Sequence, residues 1–122
     1  MDYDTQNIFA KILRGEIPCQ KVFEDDCVLA FRDINPKAPI HVLVIPKGSY
    51  RDYPSFCLKA PQMLVAQFFA RVAQIAQDLQ LDEGYRLIIN TGDHGGQEVA
   101  HFHAHILGGS HVGPMVCPHK QQ

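Results

Sequence analysis

The 122-residue chain predicts a single α+β domain spanning residues 1–122, an antiparallel meander sheet with two helices segregated to one face. Three observations point there. The apolar pattern runs in the order helix, strands, helix, strands. Most strand candidates are separated by short turns, which suits antiparallel neighbours. The length is enough for one buried core and too short for two.

The elements follow in order. A first helix is expected over residues 5–14, with Thr5 as its cap and Ile8, Phe9, Ile12 and Leu13 on one face. Gly15 and Pro18 end it. Short strands are expected at 21–24 and 28–33, turning through Glu24-Asp25-Asp26. Pro36 and Pro39 mark a loop, after which Ile40-His41-Val42-Leu43-Val44-Ile45 reads as a buried strand stopped by Pro46. Over residues 60–79, Val65, Phe68, Val72, Ile75 and Leu79 recur at spacings of three and four, the signature of a long amphipathic helix. Strands at 85–90 and 99–107 flank a glycine-rich turn, and the tail from about residue 110 is irregular. The 65–79 stripe and a nearby strand edge suggest a twofold homodimer.

Composition narrows the function. With 46% apolar and 20% charged residues the chain is an ordinary globular sequence. A net charge of −2 supplies no footprint for nucleic acid or an anionic membrane. No segment approaches the ~20 apolar residues of a membrane span. No secretory signal is visible, so a cytoplasmic location is expected. The four cysteines form no C-x-x-C pair and read as small apolar side chains.

Chemistry concentrates in His101-Phe102-His103-Ala104-His105-Ile106-Leu107. In a strand, His101, His103 and His105 share one face and Phe102, Ala104 and Ile106 the other. Three aligned imidazoles are costly as core filling, because each ring brings two nitrogens to satisfy. Residues 101 and 105 lie ~13 Å apart on an unbent strand, so all three cannot ligate one zinc; two with His41 could. Separate roles are the stronger reading: one imidazole attacks phosphorus while its neighbours orient it and handle protons. The turn Gly92-Asp93-His94-Gly95-Gly96-Gln97 could offer backbone N–H groups to phosphate oxygens. His94, His111 and His119 receive no role.

The histidine motif resembles the signature of the histidine triad family. Ile8-Phe9-Ala10-Lys11-Ile12, Gly15-Glu16-Ile17-Pro18, Ala30-Phe31-Arg32-Asp33-Ile34-Asn35-Pro36 and His41-Val42-Leu43-Val44-Ile45-Pro46-Lys47 resemble the Hint branch of that family. The resemblance implies hydrolysis of purine nucleoside phosphoramidates at the P–N bond. It implies His103 as nucleophile, His105 at the phosphate or leaving group, and His101 and His41 as a hydrogen-bond relay. It assigns Asp33 to the ribose hydroxyls, Ile8, Phe9, Ile12, Ile17, Phe31 and Ile34 to the base, and Asn90, Gly96, Gln97 and Glu98 to the phosphate. It further implies a homodimer, no cofactor and no catalytic metal. Glu98, Ala100 and Ser110 depart from common family residues and bear on the leaving group. Two alternatives stand beside this reading: a dinucleoside polyphosphate hydrolase, and a nucleotide- or partner-binding protein with incidental catalysis.

Overall fold

The computed structural model describes residues 3–118; His119 lies outside them. The elements are α1 (Ile8–Leu13), β1 (Lys21–Glu24), β2 (Val28–Arg32), β3 (Ile40–Pro46), α2 (Tyr53–Lys59), α3 (Gln62–Asp78), β4 (Tyr85–Ile88) and β5 (Ala104–Gly108). The strands form one five-stranded antiparallel sheet in the order β1-β2-β3-β5-β4. The first three strands follow the expected meander. After α3 the chain takes β4 to the outer edge, and β5 returns between β3 and β4. That placement suits their side chains, since Ala104 and Ile106 are fully buried while β4 alternates between exposed and half-buried residues.

The same alternation divides the packing. Val28, Ala30, Val42, Val44, Ala104 and Ile106 point to one side, where Phe56 of α2 and Phe68, Val72, Ile75 and Ala76 of α3 cover them. Phe102 completes this layer, stacked on Phe56 with ring centroids 4.8 Å apart. Leu29, Phe31, Leu43 and Ile45 point to the other side and pack on Phe9 of α1. Helices therefore lie on both faces, not one, because α1 carries its own apolar stripe and caps the face that α2 and α3 leave open.

Local chemistry explains the remaining departures. The cap of α1 is Asn7, whose Oδ1 accepts the Ala10 amide at 2.9 Å, so the helix begins two residues later than Thr5 would set it. Helix α2 was not expected; Asp52 caps it through the Ser55 amide, and Pro54 sits in its first turn. The expected 60–79 helix starts at Gln62 because Pro61 takes the cap position. Its stripe of Phe68, Val72 and Ile75 is consumed by the core and is not available to a second subunit. The last strand begins at Ala104 rather than 99. Preceding residues leave the ladder where β3 ends at Pro46, and the Phe102 amide bonds the Tyr50 carbonyl instead.

Candidate active site

The face covered by α1 opens into a cleft of about 560 Å³. Of the residues singled out from sequence, Ile8, Phe9, Ile12, Ile17, Phe31, Asp33, Ile34, His41, Asn90, Gly96, Glu98, His103 and His105 line it. Sequence reasoning missed Pro18, Cys19, Lys37, Leu43, Ile88 and Val99, which also line it. Leu43 and Ile88 could have been found, since both pair with His105 and so share its face. Gln97 and His101 are not in the lining. Gln97 is a loop clip: its Nε2 donates to the carbonyls of Arg51 and Val99, and its Oε1 accepts the Gly92 amide. His101 lies beneath the floor, fully buried.

Three amides of the glycine-rich turn already have partners within it: those of Gly92, Gly96 and Gln97 donate to Gln97 Oε1, Asp93 O and Gly92 O. Gly95 is required by the turn itself, because a Cβ there would lie 2.3 Å from the Thr91 carbonyl oxygen.

The histidines form two separate hydrogen-bonded lines. In the first, the Lys37 amide donates to His41 Nδ1 at 3.0 Å. An amide can only donate, so the neutral His41 ring carries its proton on Nε2. That Nε2–H lies 2.9 Å from His105 Nδ1, which must accept. His105 then bears its proton on Nε2, a buried atom with no protein partner. In the second line, His103 Nδ1 lies 2.7 Å from the His101 carbonyl oxygen and must donate to it. The bare lone pair of His103 is therefore on Nε2. These tautomers are assigned from the partners, as ring protons always are.

Burial keeps the rings neutral. Desolvation pushes His101 down to about 4, partly opposed by its bond to the Pro46 carbonyl. Desolvation also takes His105 to about 4, helped by the neighbouring charges of His103 and His41. His103 and His41 are lowered too, chiefly by burial, with Asp33 pulling each the other way. Phe9 meets His103 edge to face at 5.0 Å and shields it from the solvent side of α1.

His103 is thus a neutral imidazole with a bare Nε2, beside His105 with its proton on Nε2. The HIT domain model matches residues 14–112 of this chain. This chain belongs to the HIT family. An Escherichia coli (strain K12) purine nucleoside phosphoramidase is 46% identical over 116 residues, covering 94% of this chain and 96% of its own. An uncharacterized HIT-like protein of Azospirillum brasilense is 49% identical over 115 residues, covering 93% and 94%. Among solved structures, a histidine triad protein from Clostridium difficile superposes with a TM-score of 0.80 at 41% identity, covering 99% of this chain and 100% of that one. A HIT family hydrolase from Clostridium thermocellum gives 0.82 at 37% identity, covering 92% and 97%. The chain thus stands among HIT family hydrolases.

Two further features of this HIT domain bear on its chemistry. Asp33 Oδ1 accepts the Asn35 amide at 2.8 Å, so that oxygen does cap the loop before Pro36. Its Oδ2, 3.5 Å from His41 Nε2, remains on the cleft side. Asp33, His41 and His105 also bring one potential metal ligand each within 4.8 Å of one another. The tautomers oppose that use. Ligation through His41 Nε2 would move its proton to Nδ1, against the Lys37 amide hydrogen. No helix among the described residues is long and apolar enough to cross a membrane.

Proposed function

We propose that this protein hydrolyses purine nucleoside phosphoramidates through a nucleotidyl-histidine intermediate on His103. The observation that carries the reading is the bond from His103 Nδ1–H to the His101 carbonyl, which leaves Nε2 as a neutral nucleophile in the cleft. Nε2 attacks the α-phosphorus, an N–P bond forms, and the substrate P–N bond breaks. The leaving nitrogen departs as an amine, gaining a proton from solvent. His105 Nε2–H donates to the charged phosphoryl oxygens, steadied from behind by His41 and the Lys37 amide. Water then attacks phosphorus, releasing the nucleoside monophosphate and a proton and restoring the His103 lone pair.

The rest of the cleft suits a nucleoside. Ile34 is 87% and Ile8 43% exposed, and both line the cleft, where a flat ligand could cover them. With Phe9, Ile12, Ile17 and Phe31 they form a slot that holds a base by burial, which favours weak selectivity between purines. Asp33 Oδ2 is free to accept ribose hydroxyls, and Asn90, Gly96 and Glu98 flank the phosphate end. The 46% identity to a purine nucleoside phosphoramidase supports the same substrate class. Incubation with adenosine phosphoramidate is the test. AMP release with multiple turnovers is expected; binding without turnover would favour a nucleotide-binding protein, and preference for a dinucleoside polyphosphate would favour that hydrolase.

A homodimer belongs to this proposal, built at the β4 edge rather than on the α3 stripe. β4 ends the sheet, and Tyr85 and Leu87 on it are 45% and 41% exposed. Sedimentation at micromolar concentration should give a dimer; a monomer would remove this part.

A further inference from the structure

The N-terminal segment reaches the histidines from beyond the cleft. The Tyr3 hydroxyl lies 2.5 Å from His101 Nδ1, with the two rings edge to face at 5.7 Å. Tyr3 belongs to no helix or strand. A turn holds it in place instead. Asp4 Oδ1 accepts the Gln6 amide, the Asp4 carbonyl accepts Asn7 Nδ2–H at 2.8 Å, and Arg14 Nη1 donates to the Thr5 carbonyl at 2.7 Å. The segment is thereby tied to both ends of α1.

Two facts separate this hydroxyl from ordinary packing. His101 is fully buried, and its Nε2–H is already committed to the Pro46 carbonyl at 2.8 Å. Its Nδ1 is then a buried acceptor that needs a donor, and among the described residues Tyr3 supplies it. Furthermore, the carbonyl of this same residue receives the His103 Nδ1–H. His101 is thus held at both ring nitrogens while its main chain sets the proton of its neighbour.

We propose that Tyr3 is a positioning residue for His103: its hydroxyl fixes the His101 ring, and so holds the carbonyl that keeps the His103 proton on Nδ1 and the lone pair on Nε2. This rests on the reading of His103 as nucleophile. A packing role would need only the aromatic ring, which phenylalanine reproduces.

The experiment uses the full chain, labelled with ¹⁵N-histidine, and Tyr3→Phe, with adenosine phosphoramidate as substrate. In the wild type, His101 should show a protonated Nε2 and a bare Nδ1, and His103 the reverse. In Tyr3→Phe, kcat should fall roughly five- to tenfold, the effect of one buried hydrogen bond. KM should barely move and the melting temperature should fall by a few degrees as the buried Nδ1 loses its donor, while the His103 nitrogens shift toward a mixture of tautomers. Tyr3→Leu should lose at least as much. Unchanged kcat in Tyr3→Phe would overturn the proposal. So would a fall in kcat with unaltered His103 nitrogens, or a protonated Nδ1 on wild-type His101. If the wild type hydrolyses no phosphoramidate, the functional reading fails by itself, and the nitrogen spectra still decide the role of Tyr3.

Discussion

The two faces of the sheet use the same strands for opposite purposes. Toward α2 and α3, the segment 102–106 offers Phe102, Ala104 and Ile106, all fully buried and entirely apolar. Toward α1, the same segment offers His103 and His105, whose Nδ1 atoms are each assigned a direction by a partner. One face is closed by packing; the other is left open as a cleft rimmed by exposed isoleucines. A period of two residues is thus enough to set chemistry and stability back to back, so that damage to one face should leave the other largely intact.

Substitutions on the two faces should break this symmetry cleanly. His103→Ala should lower turnover by a thousandfold or more, roughly the loss expected for a removed nucleophile. AMP binding by calorimetry and the melting temperature should change little. Phe102→Ala should do the converse, costing ~3–5 kcal/mol of stability in denaturant melts as a large core cavity opens. At a temperature where that variant is folded, its KM should stay near that of the wild type. His41→Ala removes only the support behind His105, so a smaller fall in kcat, about 10- to 100-fold, is expected from single-turnover rates.

Acid should distinguish the faces too. The unfolded chain takes up protons on histidine near pH 6.5, whereas His101 and His105 in the fold resist until about 4. The unfolded state therefore binds more protons in that window, and stability should fall as pH drops from about 6.5 toward 4. Replacing His101 by a neutral residue that still folds should flatten that slope; an unchanged slope would place its origin elsewhere. The smallest expected effect is that of a chelator. EDTA should leave the rate unaltered, and a loss restored by added zinc would point to Asp33, His41 and His105 as metal ligands.

How much of this was legible in the sequence depends on distance along the chain. Alternation in residues 101–107 announces both faces directly, although only residues from Ala104 onward belong to β5. The stripe from Val65 to Leu79 announces α3 but not what it covers, and its residues turn out to face the core of their own chain. Helix α2 escaped because seven residues, Tyr53 to Lys59, are too short to establish a period; only the Asp52 cap and Pro54 hint at it. Gln97 looked like a phosphate contact by its place in the motif, yet its amide closes the turn. The bonds that set the tautomers, from Lys37 to His41, His41 to His105 and Tyr3 to His101, depend on three-dimensional approach across as many as 98 positions. No local pattern carries them.

The central claim is that His103 becomes covalently nucleotidylated. Intact-protein mass spectrometry during turnover of adenosine phosphoramidate tests it most directly. A transient adenylyl adduct that maps to His103 and disappears as substrate is exhausted is the predicted result. Brisk hydrolysis with no adduct under rapid quenching, or an adduct on any other residue, would contradict it.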